Sequence, residues 1–203
     1  TNRPDTSIET GVLDENWDYI SFQQVSGNSG QYETFLIPLP ALAAYVQDLS
    51  TNPQARYILH QTWAYDETSP HSNFKNYGKD QKIMYNAIVK TYGRVQEMAD
   101  MDQVIPAGTA IQNGRNTLIG DNFTRDGYHL DLGIGRYTAA STWFEALTGI
   151  CVVGNSFKPE ALTDLEAEIA QHADRHRDWQ AIAAHERMPP ATHDKREEDD
   201  DPH

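Results

Sequence analysis

Cysteine is almost absent: the 203-residue chain has one, Cys151. One thiol cannot form an internal disulfide, so the count says nothing firm about redox compartment. Inside the apolar run GICVVG it reads as a small buried apolar residue. Positive charge is also scarce. Sixteen Lys and Arg face thirty Asp and Glu, a formal net charge of -14. No basic cluster offers itself to phosphates, which argues against a nucleic-acid partner. No apolar run approaches the ~20 residues of a membrane-spanning helix, so no membrane partner is expected. Neither a signal-peptide pattern nor an internal repeat is found. No cofactor motif or metal cluster is expected. What remains, 38% apolar residues with 10% aromatics, suffices for one sizeable α/β domain.

Turn residues divide the chain into alternating strands and helices. WDYISFQQ (17–24) is a strand ended by the cluster SGNSG, and ARYILHQTW (55–63) follows the turn TNPQ as a second. MDQVIPAG (101–108) is a short third, and ICVV (150–153) a short apolar run. Helices are expected over 33–49, starting near Pro38 or Pro40, over 80–100 from apolar spacing near 3.6, and over 132–148, closed by Gly149. A helix-then-loop covers 109–120, and a long helix covers 162–186, with Thr163 and Glu166 at capping-box spacing. Residues 188–203 form an acidic tail expected to be disordered. Residues 1–187 are read as one α/β domain with a mainly parallel sheet.

Chemistry concentrates in TRDGYHL (124–130). A carboxylate three residues before a histidine can hold one ring nitrogen, fix the tautomer and leave the other nitrogen for a nucleophile. Asp126 and His129 are therefore the candidate acid–base pair. The alternative is a turn aspartate beside a partly buried ring.

Four stretches, WDYISFQQVSGNSG, ILHQTWAY, VIPAGTAIQNGR and RDGYHLDLGIGRYTAASTWFEALTG, occur in an order that resembles the SGNH (GDSL-like) hydrolase superfamily. More narrowly, the resemblance is to a bacterial branch found among carbohydrate-degrading genes, and it covers roughly residues 11–185. It implies a three-layer α/β/α, flavodoxin-like fold and serine-type hydrolysis of esters, often acyl groups on sugars, in a periplasmic or secreted setting. It places the catalytic Asp and His on Asp126 and His129. It also implies a glycine and an asparagine in the oxyanion hole, whose donors stabilise charge that develops in the transition state. Here the pattern departs. Gly27 is the nearest glycine after the first strand, and no Gly-x-Asn follows the second. Gln24, Gly27 and Trp63 are the substrate-binding candidates, with Gln61 and Thr62 as further donors. Trp63 and Tyr65 fit core packing first and a sugar-stacking wall second.

The nucleophile block of that superfamily, a strand then Gly-Asp/Asn-Ser, is not found where it belongs. WDYISFQQ matches the second-block strand, so the first strand is expected to be missing and the domain N-terminally incomplete. Its neighbours would then lose a central ladder partner, unless ICVV fills the slot, the strands close up or another chain supplies it. GNSF (154–157) is a look-alike at the wrong end, which makes Ser156 the nucleophile only in a permuted arrangement; otherwise it is a polar turn. Ser26 and Ser29 read as turn formers. His60 and His71 bracket the WAYDETSP loop and are candidates to line the His129 cleft. His172 and His176 read as a solvated helix face, and Arg136 as a partner for Asp131. NFT (122–124) is a glycosylation acceptor pattern. The two function classes that follow are an ester hydrolase and an inactive carbohydrate-binding or assembly protein of the same fold.

Overall fold

A computed structural model describes residues 6–173. The acidic tail, the part of the expected 162–186 helix beyond Ala173, and His176 lie outside the described residues. In chain order the elements are α1 (Ile8–Leu13), β1 (Tyr19–Phe22), α2 (Pro38–Leu49), β2 (Arg56–His60), α3 (Gln81–Met98), β3 (Gln103–Ile105), α4 (Ala107–Arg115), α5 (Ile134–Thr148) and α6 (Asp164–Ala173). Short 3-10 turns occupy Ser26–Asn28, Tyr32–Thr34 and Ser72–Tyr77.

The three strands form one parallel sheet in the order β1-β2-β3. β1 pairs directly with β2, Tyr19 with Arg56 through Phe22 with Leu59. No slot is left between them, so the expected central gap does not exist. Parallel strands need helical crossovers, and each arrives with its apolar face toward the sheet. Phe22 and Leu59 join α2 (Leu39, Ala43, Val46) and α3 (Met84, Ile88, Tyr92, Val95) in one core. Alternation turns the next residue of β2 the other way. There the His60 ring lies against Trp143 of α5, and Gln103 of β3 bonds the Ala146 carbonyl of the same helix. A second core joins α4, α5 and α6 through Ile111, Ile134, Tyr137, Ala167 and Ala170, with Phe123 and Leu130 between them. The architecture is α/β, a small open parallel sheet with helices on both faces.

The helix ends follow their local chemistry. Asp80 accepts the Ile83 amide at 2.7 Å as the N-cap of α3. Thr163 and Glu166 exchange bonds as the expected capping box. Gly149 ends α5 in the left-handed region, φ 70°. The run after it departs from expectation. Cys151 is exposed rather than buried, and the short apolar run ICVV does not join the sheet, one of the alternatives open to it. Val152 alone of the four is buried, and its amide bonds a side chain, Glu145 Oε2, at 3.2 Å. The Ile150 amide also donates to a side chain, Thr148 Oγ1, at 3.1 Å. Asp131 likewise does not pair with Arg136. Its two oxygens take the amides of Gly133 and Gly135 and hold the first turn of α5.

Candidate functional site

All three strands run the same way, so their exits share one edge of the sheet, where sites form in open α/β sheets. The β1 exit leads into 23–30 and the β2 exit into 61–71. The stretch TRDGYHL returns to meet the latter. It is a tight loop closed by an isolated bridge between Thr124 and Leu130 and by the Arg125 amide donating to the His129 carbonyl at 2.9 Å. Gly127 sits at φ 90°, and a Cβ there would lie 2.9 Å from the Ser69 Cα. Conformation and space both demand glycine.

Inside this loop Asp126 and His129 meet. Asp126 Oδ2 lies 2.7 Å from His129 Nδ1. Asp126 Oδ1 accepts the His129 amide at 2.8 Å and the Tyr128 amide at 3.2 Å. Partial desolvation pushes the Asp126 carboxyl up, but the bonds from the His129 amide, the His129 ring and the Tyr128 amide together outweigh it and hold it at about 2. A carboxylate so held stays ionised and orients the ring, leaving Nε2 turned away from it. The His129 side chain is 55% exposed, so this nitrogen is open to a reacting group.

An aromatic row extends inward from the pair. The Tyr128 ring lies 4.3 Å from His129 and 4.8 Å from His71, and His71 lies 4.7 Å from Tyr65. His71 is thus related to His129 through the Tyr128 ring between them. Its Nδ1 accepts the Asn73 amide, so its proton sits on Nε2. Tyr65 is fully buried; it is core, not a stacking wall. Its hydroxyl is 2.9 Å from Ser26 Oγ, which brings the β1 exit into the same cluster. Ser29 is buried, accepting from Thr62 and donating to the Val25 carbonyl. It is a structural turn residue, as the sequence suggests. Gly27 is also buried, and a Cβ on it would lie 2.4 Å from Asn73 Nδ2.

The remaining candidates make contacts of other kinds. Gln24 bonds Thr34 and the Val25 amide. Gln61 caps α4 by accepting from the Thr109 amide and hydroxyl. Trp63 is half-buried and donates its indole N–H to the Tyr128 carbonyl at 2.7 Å. His60 turns away from the His129 loop into a corner with Trp63 and Trp143, whose indole N–H donates to His60 Nδ1 at 2.9 Å. Burial lowers the His60 pKa to about 4, so the ring is neutral. Ser156 is exposed, and its turn leans on α6: Gly154 donates to Gln171, and Gln171 to the Asn155 carbonyl. No strand precedes GNSF and no helix begins until Asp164, so it lacks the strand–turn–helix frame of a nucleophile turn.

Two residues of the site escaped sequence reasoning. Asn73 has no local signal, since only folding brings it over Gly27. Arg115 had one, a lone arginine among small and polar residues in AGTAIQNGR. It is buried, and its Nε lies 2.7 Å from Asp121 Oδ1. Among the described residues no group of His, Cys, Asp and Glu is arranged to hold a metal ion.

An α/β domain with a carboxylate–histidine pair at the carboxyl edge of a parallel sheet is thus the class that fold and site define. Residues 1–177 match a family model described as a domain of unknown function, DUF4886, and the chain belongs to that family. It is similar to the crystal structure of a DUF4886 family protein from Bacteroides uniformis ATCC 8492, with 43% identity and a TM-score of 0.82. The match covers 86% of this chain and 67% of that one. No curated protein matches the chain.

Proposed function

We propose that this chain is part of a serine-type ester hydrolase of SGNH type, acting on acyl esters of carbohydrates. Asp126 is its orienting carboxylate and His129 its general base and then acid. The observation that carries the reading is the 2.7 Å contact between Asp126 Oδ2 and His129 Nδ1, with two backbone amides fixing the other oxygen. In the flavodoxin-like order 2-1-3-4-5, the one run of three strands consecutive both in sequence and in space is the last three. The run β1-β2-β3 fits that description. On this reading WDYISFQQ is the third strand rather than the second, and the nucleophile strand belongs on the outer edge of β1. An apolar groove of about 160 Å³, lined by Phe22, Phe35, Leu39 and Leu42, opens beside β1.

A second reading, a carbohydrate-binding protein without catalysis, is favoured by one observation. Among the described residues no serine hydroxyl bonds His129. A fluorophosphonate probe, followed by peptide mapping, separates the two. The expected result is one serine adduct in a chain of the relative's length, lost in His129→Ala, and none in residues 1–203 alone. A folded longer chain that takes no label but binds oligosaccharides by calorimetry overturns the hydrolase reading. An adduct on Ser156 in this chain supports the permuted arrangement instead.

A further inference from the structure

The loop that carries Asp126 and His129 is closed by its own bonds, and one neighbouring segment grips it at three further points. The Trp63 indole donates to the Tyr128 carbonyl at 2.7 Å. The Asp66 amide donates to the Gly127 carbonyl at 3.0 Å. Asp66 Oδ2 accepts the Thr124 hydroxyl at 3.0 Å. The entry, middle and far side of the loop are thus tied to the four residues that follow Thr62.

That segment is itself held from beneath. The buried Arg115 guanidinium donates through one terminal nitrogen to the Ala64 carbonyl at 3.1 Å and pairs through Nε with Asp121. Asp121 accepts the Glu67 amide at 2.9 Å and the Gln81 side chain at 2.9 Å. A buried guanidinium is costly unless it is paired with an opposite charge. Here Asp121 is that partner and the third nitrogen reaches Gln112 Oε1, so Arg115 and Asp121 together tie α4 to both ends of the 64–67 segment and, through Gln81, to α3.

We propose that Trp63 and Asp66 are positioning residues for the histidine loop and that Arg115 is their anchor. This rests on the acid–base reading of Asp126 and His129 and goes beyond it. It names what keeps the pair in register, and it assigns Trp63 to the protein's own loop rather than to a substrate. A loop held at three points from one rigid segment keeps its side chains within the narrow geometric tolerance that general-base chemistry needs.

The test reads the His129 tautomer in residues 1–203 by long-range ¹H–¹⁵N correlation of the neutral ring. With Nδ1 bonded to Asp126, the wild-type chain is expected to show the Nδ1–H form, and Asp126→Asn to lose it. Trp63→Phe and Asp66→Ala are each expected to lose dominance of that form while the fold is retained, and so is Arg115→Gln. A thermal transition measured alongside separates loosening of the loop from unfolding. If Arg115→Gln does not fold, the other two variants carry the test. All folded variants keeping the wild-type tautomer overturns the positioning role and leaves the acid–base pair standing. An Nε2–H form in the wild-type chain removes the pair itself and overturns both readings.

Discussion

Gly108→Ala is expected to be severely destabilising. A Cβ at this position, in the first turn of α4, would lie 1.9 Å from the Thr62 carbonyl oxygen, 2.7 Å from its carbon and 3.1 Å from the Trp63 Cα. All three are backbone atoms of the β2 exit, so no side chain can swing aside. The Gly108 amide also donates to the Gln61 carbonyl at 3.1 Å, which fixes the approach of helix and strand exit. Alanine must push α4 away from the sheet. Overpacking against backbone costs about 3 kcal/mol or more, and a domain of this size loses about 2–4 °C per kcal/mol. Scanning calorimetry should therefore show a transition lower by roughly 6–12 °C. Gly93 is the contrast. It lies inside α3 with nothing within 4 Å of its absent Cβ, and Gly93→Ala should raise stability by about 0.5–1 kcal/mol.

The second large effect is a loss of stability in mild acid, set by His60. Burial lowers its folded pKa to about 4, while an unfolded histidine titrates near ~6.5. Between those values the unfolded chain binds the extra proton and the folded chain does not, so stability rises with pH. The contribution is fully present above ~6.5 and is lost as pH falls toward the folded value. Over the whole window it amounts to about 3 kcal/mol. Physically, the imidazolium would be desolvated between two indoles, and its Nδ1 would no longer accept from Trp143. Denaturant midpoints at pH 7 and pH 5 check this. His60→Gln, which keeps an acceptor for the indole but does not titrate, should flatten the dependence. Equal slopes in the two proteins would remove His60 as the cause.

Much of the fold could be read along the chain because its causes are local. Strands β1 and β2 lie inside aromatic and β-branched runs bounded by Gly, Ser, Asn and Pro. Helix α3 starts at its capping aspartate, and α5 ends at Gly149. Asp-x-x-His was legible for the same reason: a three-residue spacing suffices to fold a carboxylate back onto its ring. What was not legible depends on distant contacts. ICVV has strand composition, but whether it pairs depends on where its donors go, and Val152 finds Glu145. Cys151 follows that segment to the surface. Tyr65 read as core first, and it is buried, but its place against His71 and Tyr128 comes from the way the loops cross. Arg115 and Asp121 are six residues apart in sequence, and nothing local reveals that they close over Ala64 and Glu67.

The all-parallel order of the sheet bears on how the chain reaches this state. No strand pair can form from a hairpin. β1 must wait for the whole crossover through α2 before it finds β2, and β2 must wait for α3 before it meets β3. Loop-closure entropy is spent before any ladder bond returns it, and parallel pairing of this kind is slow. The helices can gain structure early from local sequence, α3 most of all with its 18 residues and capped start. Registration of the strands comes last. The shared edge beside Asp126 and His129 is therefore expected to be among the final parts to assemble.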